Sequence, residues 1–280
     1  MKLSVLMPVY HKESSTYLRQ CLESLAFQAL LADEIVIVED GPLGKPLNAI
    51  IGAYKRDLPI VSLALPAHVG LGPALRAGLG ICRGEYVARM DADDISFRER
   101  FQRQVKFLDS NREVDVVGSA IEEFGGNSNA PGAIRHLPAS GRELLRFARI
   151  RNPLNHMTTM FRKDSVLAAG SYKPCPGFED YHLWARMLMH GYCLHNMEEI
   201  LVNVRCDNGM QSRRGGLAYL KQDVAFQLFL HKVGLITVPG CVRNIAMRAP
   251  IRLAPTFVRS IIYNLFLRGG PPPSVELEHG

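Results

Sequence analysis

The first hundred residues alternate between short apolar runs and segments in which apolar side chains recur at helical spacing. The apolar runs span residues 3–9, 35–38, 60–65 and 86–90. Between them, apolar residues three or four positions apart predict helices after Ser14 and Ser15, over residues 47–54 and over residues 70–82. Such alternation, with nearly continuous apolar strands, is typical of a parallel sheet covered by helices on both faces. We therefore expect an α/β fold.

Beyond residue 94 the pattern is looser but still mixed. A helix is predicted by Phe101, Val105 and Leu108, and a strand by residues 114–117. Glycine, asparagine and proline make residues 125–132 a predicted loop. Helical spacing returns at Leu183, Trp184, Met187 and Leu188 and ends at Gly191.

An acidic tetrapeptide, Asp91-Ala92-Asp93-Asp94, directly follows the fourth apolar run. Ligands of α/β sheets bind beyond the carboxyl ends of the strands, and residues two apart in a strand point the same way. Asp91 and Asp93 are therefore expected to converge, as the hard cation Mg²⁺ requires of carboxylates. The alternative is that the tetrapeptide caps a following helix, since Asp is a favoured N-cap.

Composition limits the class of protein. The chain has 280 residues, of which 47% are hydrophobic and 21% charged, and such a chain forms a globular core. Its six cysteines contain no Cys-x-x-Cys pair, which argues against a zinc ribbon or a disulfide framework and favours a reducing compartment. No signal-peptide pattern and no apolar run of about 18 residues is present. We expect a cytoplasmic protein, or one peripheral on a cytosolic membrane face.

The net charge of +6 is concentrated near the carboxyl end. Residues 224–275 contain no Asp or Glu but six basic residues, Lys232, Arg243, Arg248, Arg252, Arg259 and Arg268. Such asymmetry predicts an acidic surface as a partner. The apolar residues of 256–268 fall on one side of a predicted helix, with arginines at its boundary. This helix either binds an anionic membrane, which the charge favours, or packs on the rest of the protein.

Several motifs stand in a distinctive order. The first strand ends in Pro8-Val9-Tyr10-His11, the second in Glu39-Asp40-Gly41, and the fourth in the acidic tetrapeptide. Much later comes Glu179-Asp180, shortly before Leu183-Trp184. Over residues 2–205 this order resembles the family 2 glycosyltransferases with a GT-A fold. The chain departs from the family pattern at His11, Glu39, Pro42, His68 and Arg76.

The resemblance implies a GT-A fold with a mostly parallel central sheet, flanking helices and a C-terminal helical extension. Residues 1–215 would form the catalytic domain, with 1–95 as the nucleotide-binding half and 96–215 as the acceptor half. Residues 216–270 would form the basic helical extension and 271–280 a tail.

The resemblance also implies roles for individual residues. Asp93, supported by Asp91, would hold Mn²⁺ or Mg²⁺ at the donor diphosphate. Asp180 would be the catalytic base, with Glu179 as the alternative; both also suit the positive end of a helix. The predicted nucleotide-binding residues are Pro8, Val9, Tyr10, Glu39, Asp40, Arg76, Asp91, Ala92, Arg213 and Arg214. The predicted substrate residues are Asp94, His156 and Trp184.

Alternatives remain for several of these residues. Asp40-Gly41 is also a common turn pair, and Tyr10 could be a core aromatic. His156 could be a structural histidine. Arg213 and Arg214 precede two glycines, which suits either a loop that closes on a diphosphate or an exposed basic turn.

The predicted activity is transfer of one sugar, with inversion, from a nucleotide-diphosphate sugar to a glycan acceptor. The resemblance favours a UDP-sugar donor and a lipid-linked acceptor in bacterial surface polysaccharide synthesis, at the inner face of the inner membrane. The absence of a Gln-x-x-Arg-Trp motif favours a non-processive enzyme. No nucleic-acid partner is expected. A sugar nucleotidyltransferase and a non-catalytic nucleotide-sugar-binding membrane scaffold are the competing classes.

Overall fold

The computed structural model describes residues 2–125, 132–206 and 215–255. Its strands are β1 Leu3–Val9, β2 Glu34–Glu39, β3 Ile60–Ala64, β4 Tyr86–Arg89, β5 Ile95–Ser96, β6 Val114–Phe124, β7 Ile134–Arg135, β8 Met160–Arg162 and β9 Cys193–Arg205. Its helices are α1 Ser15–Ala26, α2 Lys45–Tyr54, α3 Leu71–Ile81, α4 Arg100–Ser110, α5 Gly141–Ala148, α6 Lys163–Ala168, α7 Glu179–Met189, α8 Leu217–Lys232 and α9 Val238–Leu253. A single 3₁₀ turn, His156–Thr158, precedes β8.

All strands join one sheet in the order β3-β2-β1-β4-β8-β6-β9-β5, with β7 paired to β6. Strands β3, β2, β1 and β4 are parallel, as the alternating pattern predicts. Their carboxyl ends therefore meet at one edge of the sheet, and of the predicted nucleotide-binding residues this edge carries Pro8, Val9, Tyr10, Glu39, Asp40, Asp91 and Ala92. Ser14 caps α1 by accepting a hydrogen bond from the Tyr17 backbone, as its position in the sequence predicts.

The second half of the sheet is mixed. Strand β8 runs antiparallel to both β4 and β6, whereas the long strands β6 and β9 are parallel to each other. The expectation of a sheet parallel throughout the first hundred residues is thus correct for β1–β4, and the antiparallel strands come from the less periodic part of the chain. Strand β9 ends beside β5, which follows the acidic tetrapeptide directly.

Two apolar layers cover the sheet. One contains Leu18, Leu22, Leu47, Ile51 and Phe101, from helices α1, α2 and α4. The other contains Leu75, Leu79, Val166, Leu183 and Trp184, from α3, α6 and α7. Burial of apolar area on both faces explains why the strands carry few polar side chains.

The C-terminal helices α8 and α9 pack against the rest of the chain. Phe226 and Leu230 of α8 join Phe178, Tyr181 and Ala185 in a third apolar cluster, which Cys241 of α9 completes. The buried Asp223 of α8 forms ion pairs with Arg248 and Arg252 of α9. Two of the six basic residues therefore share one carboxylate inside the fold, which offsets one of their two charges. Among the described residues, no helix has both the length and the hydropathy needed to cross a bilayer.

Candidate active site

The site lies where strand ends and helix starts converge. Strands β1, β2 and β4 end at the same edge of the sheet, at Val9, Glu39 and Arg89. The first turns of α3 and α7 approach each other closely here, because a side chain added at Gly72 would meet Glu179 Cγ at 2.9 Å. Helix starts carry partial positive charge, so this edge suits an anionic ligand.

The acidic tetrapeptide forms a cluster of carboxylates. One oxygen from each of Asp91, Asp93 and Asp94 lies within 4.8 Å of the other two. Burial, with the charge of Asp91, raises the pKa of Asp93 to about 6, and burial raises the pKa of Asp94 as well. The tetrapeptide does not cap a helix, because β5 follows it and α4 begins only at Arg100.

The cluster fits a divalent cation. The Oδ2 atom of Asp94 is buried and has no hydrogen-bond partner within the described part of the chain. Its other oxygen accepts a hydrogen bond of 2.9 Å from the Arg205 backbone nitrogen. Hard oxygen ligands that repel one another, one of which has no hydrogen-bond partner among the described residues, are the donor set that Mg²⁺ or Mn²⁺ prefers.

Two arginines hold the cluster in place. Arg89, at the end of β4, is buried and forms an ion pair with Asp91. Arg205, at the end of β9, donates through Nε to the Asp93 carbonyl at 3.1 Å, and its guanidinium lies 3.8 Å from the Tyr17 ring centroid. A charged residue inside the otherwise apolar run 86–90 was a sequence signal for Arg89, whereas nothing in the sequence pointed to Arg205.

Asp40 lies at the end of β2 and is buried. Its Oδ1 accepts a hydrogen bond from the Val69 backbone at 2.7 Å, and its Oδ2 accepts one from Gly70 at 3.1 Å. His68 Nδ1 lies 2.7 Å from the same Oδ2. The carboxylate thus fixes the loop before α3, as a turn residue would, and it lies at the edge where the sequence predicts a nucleotide base.

An aromatic group lies beside Asp40 and contacts it through His68. The Tyr10 ring stacks on His68 with centroids 5.9 Å apart, and His11 meets both rings edge-on. His11 and His68, two of the five departures from the family pattern, therefore lie together. Tyr10 is half-buried in this group, so its ring is not simply part of the core.

The other predicted nucleotide-binding residues differ in exposure. Val9 and Ala92 are buried, Pro8 and Glu39 are half-buried, and Arg76 is exposed on α3. Of the predicted set, only Arg213 and Arg214 fall outside the described residues.

Glu179 and Asp180 are the first two residues of α7, as the sequence predicts. Burial, aided by the charge of Asp180, raises the pKa of Glu179. The Asp180 side chain is 18% exposed and accepts hydrogen bonds from the Tyr181 backbone at 2.8 Å and from Asn152 Nδ2. Asn152 was missed by the sequence reasoning, because an asparagine before a proline is a common loop residue.

His156 lies beside Asp180. Its Nδ1 is 4.0 Å from Asp180 Oδ2, and its Nε2 is 3.0 Å from the hydroxyl of Tyr172. Burial, with the charge of Arg89, lowers the pKa of His156 well below its ordinary value. Trp184 is fully buried and meets the His156 ring edge-on at 6.2 Å, so in this structure it supports the histidine rather than lining the cleft.

Relatives with curated descriptions match the chain over nearly its whole length. The amylovoran biosynthesis glycosyltransferase AmsE of Erwinia amylovora is 40% identical over 95% of this chain and 99% of its own. The UDP-Gal:alpha-D-GlcNAc-diphosphoundecaprenol beta-1,3-galactosyltransferase of Escherichia coli is 33% identical over 95% of this chain and 97% of its own.

Solved structures share the fold. S. aureus TarS residues 1–349 in complex with UDP-GlcNAc superposes with a TM-score of 0.69 at 17% identity, covering 95% of this chain and 76% of that one. The mannosyltransferase PcManGT of Pyrobaculum calidifontis, in complex with GDP-Man and Mn²⁺, gives a TM-score of 0.62 at 16% identity, covering 94% of this chain and 79% of that one. The predicted GT-A-type α/β fold is therefore confirmed.

The sequence profile described as glycosyl transferase family 2 matches residues 4–170, which contain β1, β2, β4 and the acidic cluster. Together with the identity to full-length relatives, this match confirms the resemblance drawn from the ordered motifs. The chain belongs to glycosyl transferase family 2.

Proposed function

We propose that this glycosyltransferase moves one sugar from a UDP-sugar to a lipid-linked glycan, with inversion at the anomeric carbon, during assembly of a bacterial surface polysaccharide. The observation that carries the proposal is the juxtaposition, at one sheet edge, of an acidic cluster and a separate carboxylate at the start of α7. The acidic cluster can hold a cation that binds the diphosphate of the donor, and the carboxylate at the start of α7 can act as a general base.

In the proposed reaction the acceptor hydroxyl oxygen forms a bond to the anomeric carbon. The bond between that carbon and the diphosphate oxygen breaks, and the nucleoside diphosphate leaves with the electron pair. Asp180 takes the proton of the attacking hydroxyl. General-base catalysis of this kind contributes roughly 10²–10⁴ in rate.

The leaving diphosphate needs compensating positive charge. Asp93 and Asp94, with Asp91 beside them, would hold a divalent cation, which when bound neutralises charge on the diphosphate. Asp91 is already engaged by Arg89, so Asp93 and the unpartnered oxygen of Asp94 are the ligands we favour. The start of α3 adds the partial positive charge of a helix N-terminus at the same edge.

The nature of donor and acceptor rests on the relatives. The E. coli relative is described by a UDP-Gal donor, a diphosphoundecaprenol-linked acceptor and a β linkage, and AmsE by amylovoran biosynthesis. S. aureus TarS was solved with UDP-GlcNAc. A UDP-sugar and an acceptor carried on a lipid diphosphate are therefore the substrates that we propose for this chain.

A lipid-linked acceptor places the enzyme at a membrane, and we propose the inner face of the bacterial inner membrane. Helix α9 supports this, because Val238, Val242, Met247 and Leu253 leave about half or more of their surface exposed. Arg243 is exposed on the same helix, and no acidic residue follows Asp223 until Glu276. An apolar, basic surface suits an anionic leaflet. The predicted helix 256–268 lies outside the described residues.

Calorimetry with UDP and GDP, each with and without Mn²⁺, tests the donor assignment. We expect UDP to bind more tightly than GDP, and only weakly without the cation. A sugar nucleotidyltransferase would instead bind a nucleoside triphosphate and release pyrophosphate from it. A non-catalytic scaffold would bind UDP-sugar without ever turning it over. Equal, metal-independent binding of both nucleotides would contradict the proposal.

A further inference from the structure

Asn152 is oriented by two contacts. Its Oδ1 accepts a hydrogen bond from the Leu154 backbone at 3.4 Å, which leaves its Nδ2 to donate to Asp180 Oδ2. The following segment is pinned in turn, because Asn196 Nδ2 donates to the Pro153 carbonyl at 2.9 Å. The amide therefore presents a donor, not an acceptor, to the carboxylate.

The imidazole of His156 faces the same oxygen of Asp180 from another element. Its 3₁₀ turn is held by the Gln104 side chain, which donates to the Thr158 carbonyl at 2.7 Å, and by the Asn155 side chain, which donates to the Ser119 carbonyl at 2.9 Å. The ring is buried and neutral, so only one of its nitrogens carries hydrogen.

Tyr172 determines which ring nitrogen of His156 carries the hydrogen. Burial raises the pKa of Tyr172, so its hydroxyl keeps its proton and can donate to His156 Nε2 across 3.0 Å. Nδ1 then carries the hydrogen and directs it toward the Asp180 carboxylate. The opposite tautomer would set a lone pair against a negative charge, which is unfavourable.

The position of Tyr172 depends on the helix that carries Asp180. Arg186 of α7 donates to the carbonyls of Ala169 and Ser171, in the turn that leads to Tyr172. Ser171 has a φ of 55°, in the left-handed region that non-glycine residues seldom adopt. The same helix thus fixes both the carboxylate and the tyrosine.

We propose that Asn152, His156 and Tyr172 are positioning residues that keep the Asp180 carboxylate charged and aimed at the acceptor hydroxyl. Asn152 donates to one oxygen, Oδ2, which His156 Nδ1 faces at 4.0 Å, while Oδ1 accepts a hydrogen bond from the Tyr181 backbone. The inference rests on the proposed function, in which Asp180 is the base, and it adds what makes that carboxylate an effective one.

Other charged and titratable groups also face this carboxylate. Those on its own helix are Glu179 and Tyr181, and those from other elements are His156, Tyr172 and Cys175. The charge of Arg89 acts on Glu179, His156 and Tyr172 beside it. Substitution at Asn152 changes none of these groups. A shift in the pH profile of that variant is therefore attributable to the lost or altered hydrogen bond.

The first test compares Asn152→Ala and Asn152→Asp by the pH dependence of kcat/KM. A donor to a carboxylate favours its charged form, so we expect the acid limb in Asn152→Ala to move up by about one pH unit. Asn152→Asp, which keeps the size and adds a like charge, should move it further. Asn48→Ala, which removes an exposed amide that donates to the Leu43 carbonyl, is the matched control and should leave the profile unchanged.

The second test addresses the tautomer. In His156→Asn the amide can mimic Nδ1–H, whereas in His156→Gln it mimics the Nε2 position. We expect the Asn variant to retain at least tenfold more kcat than the Gln variant, with the same KM for donor. Tyr172→Phe should lower kcat about tenfold, while Tyr54→Phe, a hydroxyl deletion at an exposed pair with Glu23, should not.

The outcomes separate this inference from the proposed function. If Asp180→Asn stays near wild-type activity, Asp180 is not the base and both fail. If Asp180→Asn is inactive but the acid limb stays fixed in both folded Asn152 variants, only the positioning role fails. Greater activity of His156→Gln than of His156→Asn would overturn the tautomer assignment.

Discussion

At the residue scale, the site depends on carboxylates held together against their mutual repulsion. Asp93 and Asp94 lie close enough to share a cation, and burial raises the pKa of both. Arg89 offsets one charge by pairing with Asp91. The remaining repulsion costs stability, which fits the proposal that the cluster binds a cation.

The substitution Asp93→Asn tests this arrangement. It should abolish Mn²⁺-dependent binding of UDP while the melting temperature of the metal-free protein stays equal or rises, because a repelling charge is lost. Mn²⁺ should raise the melting temperature of the wild type but not of the variant. If Asp93→Asn binds UDP as tightly as the wild type when Mn²⁺ is present, Asp93 is not a metal ligand.

At the element scale, the strands and helices of the first half were predictable from periodicity, and β1–β4 and α1–α3 lie where the pattern puts them. Short strands such as β5, β7 and β8 were not, because two or three residues carry no period. The carboxylates of the site were predictable, because they follow the ends of predicted strands and stand in the order of the family's motifs. Asn152, Tyr172 and Arg205 did not, since their roles depend on contacts distant in sequence.

The glycines of helix α3 allow a test of how closely this helix packs on its neighbours. An alanine methyl at Gly72 would lie 2.9 Å from Glu179 Cγ and 3.0 Å from the Lys173 carbonyl. Gly72→Ala should therefore push the starts of α3 and α7 apart and lower kcat severalfold.

At Gly78 the methyl would lie 2.4 Å from both Leu6 Cδ1 and Val38 Cγ2. Gly78→Ala should mainly destabilise the fold, by about 1–3 kcal/mol.

Gly80→Ala is the matched control on the same helix. No atom lies within 4 Å of the position its methyl would take, so the variant should gain about 0.4–1 kcal/mol in unfolding free energy. Denaturant unfolding and steady-state kinetics of the three variants check the set. Normal kcat in Gly72→Ala would show that the close approach of the two helices does not position Glu179 and Asp180.

At the scale of the whole molecule, the described part of the C-terminal extension is integral to the fold. Helices α8 and α9 share a core with α7, and Asp223 forms ion pairs with both Arg248 and Arg252. Helices α8 and α9 thus pack on the core, although α9 still exposes an apolar face. The two alternatives for the predicted helix 256–268 concern residues outside the described part of the chain. A truncation meant to test membrane binding must therefore leave α9 whole.

Truncation after Pro255 is the suitable change. Removing residues 256–280 should weaken binding to anionic vesicles without altering UDP affinity, because it deletes Arg259, Arg268 and the apolar residues between them but leaves the exposed surface of α9. Basic residues near an anionic surface contribute about 1 kcal/mol each, and high salt should weaken the attachment. Co-sedimentation with anionic and neutral vesicles measures this. Full-length protein that stays in the supernatant at low salt would exclude the membrane role.

The most direct measurement is sugar transfer by wild-type and Asp180→Asn protein, with donor affinity determined on the same preparations. The donor is the UDP-sugar selected by a hydrolysis screen, and the acceptor is a sugar linked to a lipid diphosphate. Asp164→Asn, which alters an exposed carboxylate in the first turn of α6, is the control. We predict transfer with inversion by wild type and control, and in Asp180→Asn unchanged donor affinity with turnover lower by a factor on the order of 10² or more. Near wild-type turnover in Asp180→Asn, or a product with retained configuration, would contradict the proposed mechanism.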